Sequence, residues 1–367
     1  MAKSRSSVPG RNLPVEPKRS IVVFGAGAVG GYLGAKLGAG APATLDLTLL
    51  GRARTAQAIA EHGLLLHELD HDQVTQPRTV TSVEGLPPCD LVLLTVRTYD
   101  VAGSIDDVRA LLGQHGLVLA LQNGVGSEEE LAQALGRHRV LPGTLTVSAG
   151  MEQPGSITRY SKAGGIALST MDGRLVPPWV VELLSATELP TTTVADYRSL
   201  RWSKLLLNML GAATSAVLDV DIGRIMNDRQ LFRIEQLAFR EATRVMRAEG
   251  IGAVELPGYA VPQARLAMRL PRSLAQATLG RRIAKARDGR SPSMRADMMR
   301  GKTEVEAFNG AVVRAGQQHH VPTPVNAALT DLVLDLAAHP EHSDRREQFR
   351  GHPEALVAFM GSCGVKV

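Results

Sequence analysis

Cysteine is nearly missing from this chain: Cys89 and Cys363 are its two cysteines in 367 residues. They stand far apart and belong to no CxxC or Cys/His cluster, which argues against a disulfide framework and a zinc site and fits a reducing compartment. Aromatic residues are also scarce, at 4%. No run of 18 or more apolar residues occurs, so no membrane span is expected. The first 19 residues hold Ser, Pro, Lys and Arg but no apolar core. They read as a disordered basic tail rather than a secretory signal. Acidic residues are sparse over 261–302, where eleven Lys or Arg face only Asp288 and Asp297. That segment has no Phe, Tyr or Trp, and a nucleic-acid surface needs aromatics or a recognisable module beside its charge. A solvated basic helical face is the first reading. Attraction of an anionic cofactor or substrate is the second, and surface contact with a membrane the third.

What is present is an ordinary soluble composition, 44% hydrophobic and 21% charged, long enough for two domains. The most informative run is Ile21-Val22-Val23-Phe24-Gly25-Ala26-Gly27-Ala28-Val29-Gly30. A buried strand leads into Gly-x-Gly-x-x-Gly, and the helical pattern from Tyr32 follows. That context predicts a dinucleotide site. Gly25 makes the turn, Gly27 admits a pyrophosphate, and Gly30 lets helix and strand pack closely. The N–H groups at the helix start, including those of Ala26, Ala28 and Val29, would face the phosphates. The second strand, Leu45–Leu50, ends in Gly51-Arg52. An NAD site wants an acid there; Arg52 suits a 2′-phosphate and favours NADP(H). The alternative is a solvated surface arginine.

Further apolar runs at Leu91–Val96 and Leu117–Leu121 read as parallel strands, with more strands over Val140–Ser148 and Gly155–Ser169. Gly25, Arg97 and Asn123 all follow strand ends and so can share one crevice. After Asp196, helices are expected over 198–218, 228–249, 261–287, 294–318 and 325–337, with a short one near Pro353–Met360. The domains predicted are a tail over 1–19, a dinucleotide-binding domain over 20–195, a helical substrate domain over 196–340 and a polar extension over 341–367. Lys204 and Asn208, four apart, share a helix face amid leucines. By spacing alone, a snorkelling lysine is the simpler reading; the functional one is a proton donor in a cleft. His67 and His71, and the pair His319-His320, lack partners at metal-ligand spacing, so no metal is expected.

The chain resembles the ketopantoate reductase family from about residue 20 to 335. The resemblance rests on the glycines at 25–30, Thr95-Val96-Arg97-Thr98-Tyr99-Asp100, Leu121-Gln122-Asn123-Gly124, Trp202-Ser203-Lys204 with Asn208, Pro292-Ser293-Met294, Thr303-Glu304-Val305-Glu306 and Val321–Asn326. It implies an α/β fold, a Rossmann-like domain followed by an all-α domain like that of 6-phosphogluconate dehydrogenase, with the active site between them. It implies reduction of a 2-oxo acid by NADPH, 2-dehydropantoate to pantoate first of all. By resemblance Lys204 is the catalytic proton donor. Asn123 lies near nicotinamide and substrate, and Asn208 and Ser293 bind substrate. Glu304 and Arg97 belong with the cofactor, and Ala149 touches it through its backbone; Arg97 stands where the family usually has lysine. Departures are Ala212 and Ile222 in places of asparagines, a one-residue deletion between Ser293 and Glu304, and an insertion-like segment over 255–290. A different 2-oxo acid on the same scaffold, or a non-catalytic NADP-binding sensor, are the competing readings. The partners expected are a small 2-oxo acid and no nucleic acid or stable membrane association. A homodimer is admitted and the location expected is the cytoplasm.

Overall fold

A computed structural model describes residues 18–40, 45–287, 292–339 and 343–367. The first half runs β1 (Arg19–Phe24), α1 (Ala28–Gly40), β2 (Leu45–Leu50), α2 (Ala53–His62), β3 (Leu64–His67), β4 (Asp72–Thr75), β5 (Arg78–Val80) and β6 (Cys89–Leu94). Then come α3 (Val101–Leu111), β7 (Leu112–Ala120), α4 (Ser127–Leu135), β8 (Val140–Leu145), β9 (Ala149–Gln153), β10 (Ser156–Arg159), β11 (Ile166–Leu168), α5 (Pro178–Ser185) and β12 (Thr191–Thr193).

The main sheet has the order β12-β11-β8-β7-β6-β1-β2-β5. Its pairings are parallel except β8 with β11. The apolar runs are continuous because both faces are covered. Ile21, Val23, Leu91 and Leu93 enter one core; Val22, Val92 and Leu94, pointing the other way, enter a second. The strand order turns at β1, which lies between β6 and β2. The crevice beyond the carboxyl ends of β1 and β6 is therefore the topological switch point, where ligands of open α/β sheets bind.

A second sheet, β4-β3-β10-β9, covers α1. A Cβ on Gly31 would lie 2.6 Å from Ile157 Cδ1, so α1 meets this sheet at backbone distance. The region of His67 and His71, expected to be a polar turn, is the β3–β4 pair. His67 Nδ1 bonds Asp72 Oδ1 at 2.8 Å across it. Among the described residues no group of three or more His, Cys, Asp and Glu could hold a metal. The expected strand over Gly155–Ser169 is two strands in different sheets, β10 and β11.

The second half is helical: α6 (Tyr197–Met209), α7 (Ala212–Leu218), α8 (Ile222–Asn227), α9 (Arg229–Ala248), α10 (Val261–Ala267), α11 (Arg272–Ala275), α12 (Arg281–Arg287), α13 (Ser293–Met298), α14 (Asn309–Gln318), α15 (Pro324–Ala338), α16 (Ser343–Glu347) and α17 (Pro353–Ser362). Helix α6 starts where Asp196 accepts bonds from the Arg198 and Ser199 amides. Three expected helices are broken. The 198–218 helix stops before Gly211, whose φ of +79° a continuing helix cannot hold. The 261–287 helix breaks at Pro271 and carries a π turn over Gln276–Gly280. The 294–318 helix is interrupted between α13 and α14, where Gly301 has φ +70°. The residues after His339 are not a separate polar extension: Phe349, Leu356, Met360 and Val365 are buried in the core that holds α6 to α15. At the other end, Arg19 belongs to β1 rather than to a tail, and it stacks on Trp179 at 4.5 Å; the rest of the predicted tail, except Lys18, lies outside the described residues. No helix among the described residues is long and apolar enough to cross a membrane.

The glycines of the first loop differ in what they avoid. A Cβ on Gly30 would fall 2.1 Å from the Gly25 carbonyl oxygen and 2.5 Å from Thr95 Oγ1; one on Gly27 would meet no protein atom within 4 Å. Gly30→Ala is expected to lower stability in urea unfolding by about 1–3 kcal/mol, and Gly27→Ala by less than about 0.5 kcal/mol. Equal losses would contradict this packing.

Candidate active site

Three strand ends are tied together at the switch point. The Gly25 and Ala26 amides donate to the Leu50 carbonyl at 3.0 and 2.9 Å, fixing the glycine loop to the end of β2. Thr95 Oγ1, after β6, donates to the Gly25 and Phe24 carbonyls at 2.7 and 3.1 Å. Gln122, after β7, donates to the Leu94 carbonyl at 2.8 Å. Gly25 has φ +110°, which lets the chain turn there into α1. The space above Gly27 is empty of protein, so a phosphate can approach the backbone at the helix start. Gly51 packs on Ala26: a Cβ there would lie 3.0 Å from the Ala26 Cβ. Arg52 follows directly, exposed at the start of α2, with no ion pair or hydrogen bond from its side chain to the described residues. An empty cradle beside an unengaged guanidinium fits a dinucleotide that carries a 2′-phosphate. Ala149 opens β9, which packs against α1 on this side.

The two halves meet through Arg201. Its side chain is 1% exposed. It donates to Glu128 Oε1 at 3.0 Å and to the carbonyls of Gly143, Gln122 and Gly124 at 2.6, 2.7 and 2.8 Å. The loop on either side of Asn123 is thus held against α6. Asn123 Oδ1 accepts from Asn208 Nδ2 at 2.9 Å, so two residues predicted from separate motifs are in contact.

Lys204 lies one turn before Asn208, half-buried. Its pKa is pulled from the usual lysine range down to about 7. Burial is the largest cause; the positive charges of Arg287 and then Arg201 add to it. The residue keeps an open side, yet its ammonium is enclosed deeply enough for desolvation to dominate. It has no ion pair with a described carboxylate. The simple snorkelling reading does not describe it.

Glu304 is the other hub. It is buried and accepts from Arg97 Nη1 at 3.1 Å, Thr98 N at 3.2 Å and Thr98 Oγ1 at 3.3 Å. Burial raises its pKa, opposed mainly by Arg97. Arg97 also pairs with Asp297 at 3.2 Å. Its charge is therefore engaged with two carboxylates of the helical half, an arrangement the spacing gave no hint of. Ser293 is exposed in the first turn of α13, which packs against α7; it makes no hydrogen bond to Lys204 or Asn208. Arg201 and Asp297 escaped the sequence reading. The one available signal was an arginine inside a leucine-rich helix, three residues before Lys204.

A parallel sheet with a phosphate cradle, joined to a helical half that places a low-pKa lysine over the crevice, defines a two-domain dinucleotide-dependent oxidoreductase. Comparison with known proteins names the family. The model described as "Ketopantoate reductase PanE/ApbA" matches residues 21–173, and its C-terminal counterpart matches residues 196–337. A 2-dehydropantoate 2-reductase of Halobacterium salinarum is 31% identical over 322 residues, covering 85% of this chain and 97% of that protein. Among solved structures, a PanE/ApbA family ketopantoate reductase from Ralstonia eutropha JMP134 has TM-score 0.74 and 26% identity, covering 88% of this chain and all of that one (100%). D-mandelate dehydrogenase, solved with NADH and anilino(oxo)acetate, shares the fold at TM-score 0.74 and 23% identity, covering 88% and 99% of the two chains. The chain belongs to the ketopantoate reductase family.

Arg201→Leu should strand Glu128 in the interior, whose Oε2 already lacks a partner. The expected loss is about 3–5 kcal/mol in urea unfolding. The double variant Arg201→Leu/Glu128→Leu should recover part of it. A single variant within about 1 kcal/mol of the parent would show that the network does not hold the halves together.

Proposed function

We propose that this oxidoreductase reduces a 2-oxo acid to the 2-hydroxy acid with NADPH, and that 2-dehydropantoate, reduced to pantoate, is its substrate. The observation that carries the reading is Lys204. A half-buried ammonium with a pKa of about 7 stands beside the Asn208–Asn123 pair, at the mouth of the strand crevice. The bound dinucleotide would supply a hydride to the substrate carbonyl carbon. Lys204 faces the developing negative charge, stabilises it and donates the proton to the oxygen. Asn123 and Asn208 orient the carbonyl by donating and accepting within their shared bond. Ser293 contributes its hydroxyl to a polar end of the substrate. Arg52 and the backbone at Gly25, Ala26, Gly27, Ala28, Val29 and Gly30 hold the dinucleotide phosphates. Glu304 and Arg97 keep the helical half against the loop after β6 on the cofactor side, and Ala149 lends backbone there.

A second reading, reduction of another 2-oxo acid, is favoured by Ala212 and Ile222. Both are buried apolar residues, 2% and 4% exposed, where the family pattern carries asparagine. Loss of two polar anchors weakens selection of a hydroxylated tail.

Absorbance of NADPH is followed against a panel of 2-oxo acids that includes 2-dehydropantoate. Preferred turnover of 2-dehydropantoate supports the first reading, and preference for an apolar acid the second. No turnover of any carbonyl substrate would leave a nucleotide-binding sensor. Lys204→Ala should lower kcat by about 10²–10⁴-fold with NADPH affinity little changed. Because the acid form of Lys204 is the active one, kcat/KM should fall as pH rises through about 7. A folded Lys204→Ala protein of near-normal kcat would refute the assigned donor. Arg52→Ala should raise the KM for NADPH about tenfold or more and leave that for NADH nearly unchanged. Equal use of both dinucleotides by the parent protein would count against the phosphate contact.

A further inference from the structure

Helix α6 ends in an unusual way. The Gly211 amide, which would close the last turn, donates instead to Glu235 Oε2 at 2.7 Å. Arg287, the last residue of α12, reaches across the exposed end. Its Nη2 donates to the Leu207 carbonyl at 3.3 Å and its Nη1 to the Leu210 carbonyl at 3.5 Å. Cations are favoured at a helix carboxyl end, so the guanidinium has a fixed seat there. Asn208 sits between those two carbonyls in sequence, and Lys204 is one turn back.

Building on the reductase reading, we infer that Arg287 binds the carboxylate of the 2-oxo acid while Lys204 takes its ketone oxygen. In such a substrate the two groups are joined by a single C–C bond, about 1.5 Å long. The cation for the carboxylate must therefore lie next to the proton donor. Arg287 does: its charge is the largest electrostatic contribution felt by Lys204 after burial. Arg201 and Arg97, the other arginines of the cleft, are engaged with Glu128 and with Glu304 and Asp297. A planar fork of N–H donors also matches a carboxylate better than an amide would. The residue comes from the insertion-like segment 255–290, in a chain where Ala212 and Ile222 replace polar anchors. The insertion thus supplies a charge where the helices have lost amides.

The test compares the best 2-oxo acid of the panel with its neutral primary amide. In Arg287→Gln, the kcat/KM preference for the acid over the amide should fall about 10–100-fold, mainly through KM for the acid. Arg287→Lys keeps the charge without the fork and should retain an intermediate preference. Tryptophan fluorescence titration with NADPH and urea unfolding report cofactor binding and folding for each variant. Equal losses on acid and amide would overturn the inference and leave Arg287 as a cap of α6; so would an unchanged preference. A parent protein that reduces no 2-oxo acid would instead overturn the reductase reading itself.

Discussion

A guanidinium with no route to water governs this architecture. Leu200, Trp202, Ser203 and Leu205 are buried around Arg201, so its charge must be met by protein. The groups that meet it come from the other half of the chain: Glu128 on α4, the Gln122 and Gly124 carbonyls after β7, and Gly143 on β8. Satisfying one buried cation brings together the strand end that carries Asn123 and the helix that carries Lys204. Burial of an ion pair is poor evidence of net stability, because desolvation offsets much of the attraction. What this one specifies is relative position.

Charge is divided in the cleft by the same logic. Arg97 is neutralised by Glu304 and Asp297, which fastens the loop after β6 to the helical half. Lys204 and Arg287 remain as neighbours at the end of α6, and each makes the other's charge less comfortable. An anion placed between them relieves that repulsion. A site of this kind is poised for an anionic substrate whose carbonyl gains negative charge as it reacts.

Much of the first half was legible from local chemistry. Glycines at fixed spacing after an apolar strand have few structural uses, and Gly25, Gly27 and Gly30 show the expected turn, open cradle and close packing. The β3–β4 pair and its sheet over α1 were not legible, since short half-polar strands carry little periodic signal. Helix α9 was read nearly to the residue from its amphipathic pattern, capped by Asp228. The breaks at Gly211, Pro271 and Gly301 were missed because long apolar periodicity runs through them and the interruptions are set by packing. The C-terminal residues looked polar, but four apolar side chains were enough to seat them in the helical core.

For the candidate site, the sequence by itself determined which residue types were available: a glycine loop, an arginine in place of an acid, a lysine and an asparagine on one helical face. These follow from rules that act over a few residues. Only the tertiary structure decided that Lys204 is desolvated, that Asn208 meets Asn123 across 85 positions, and that Arg97, Glu304 and Asp297 form one cluster. Those outcomes depend on which surfaces exclude water together. A pKa or a pair contact is a property of an enclosure, and no segment of this chain encloses Lys204 without the others.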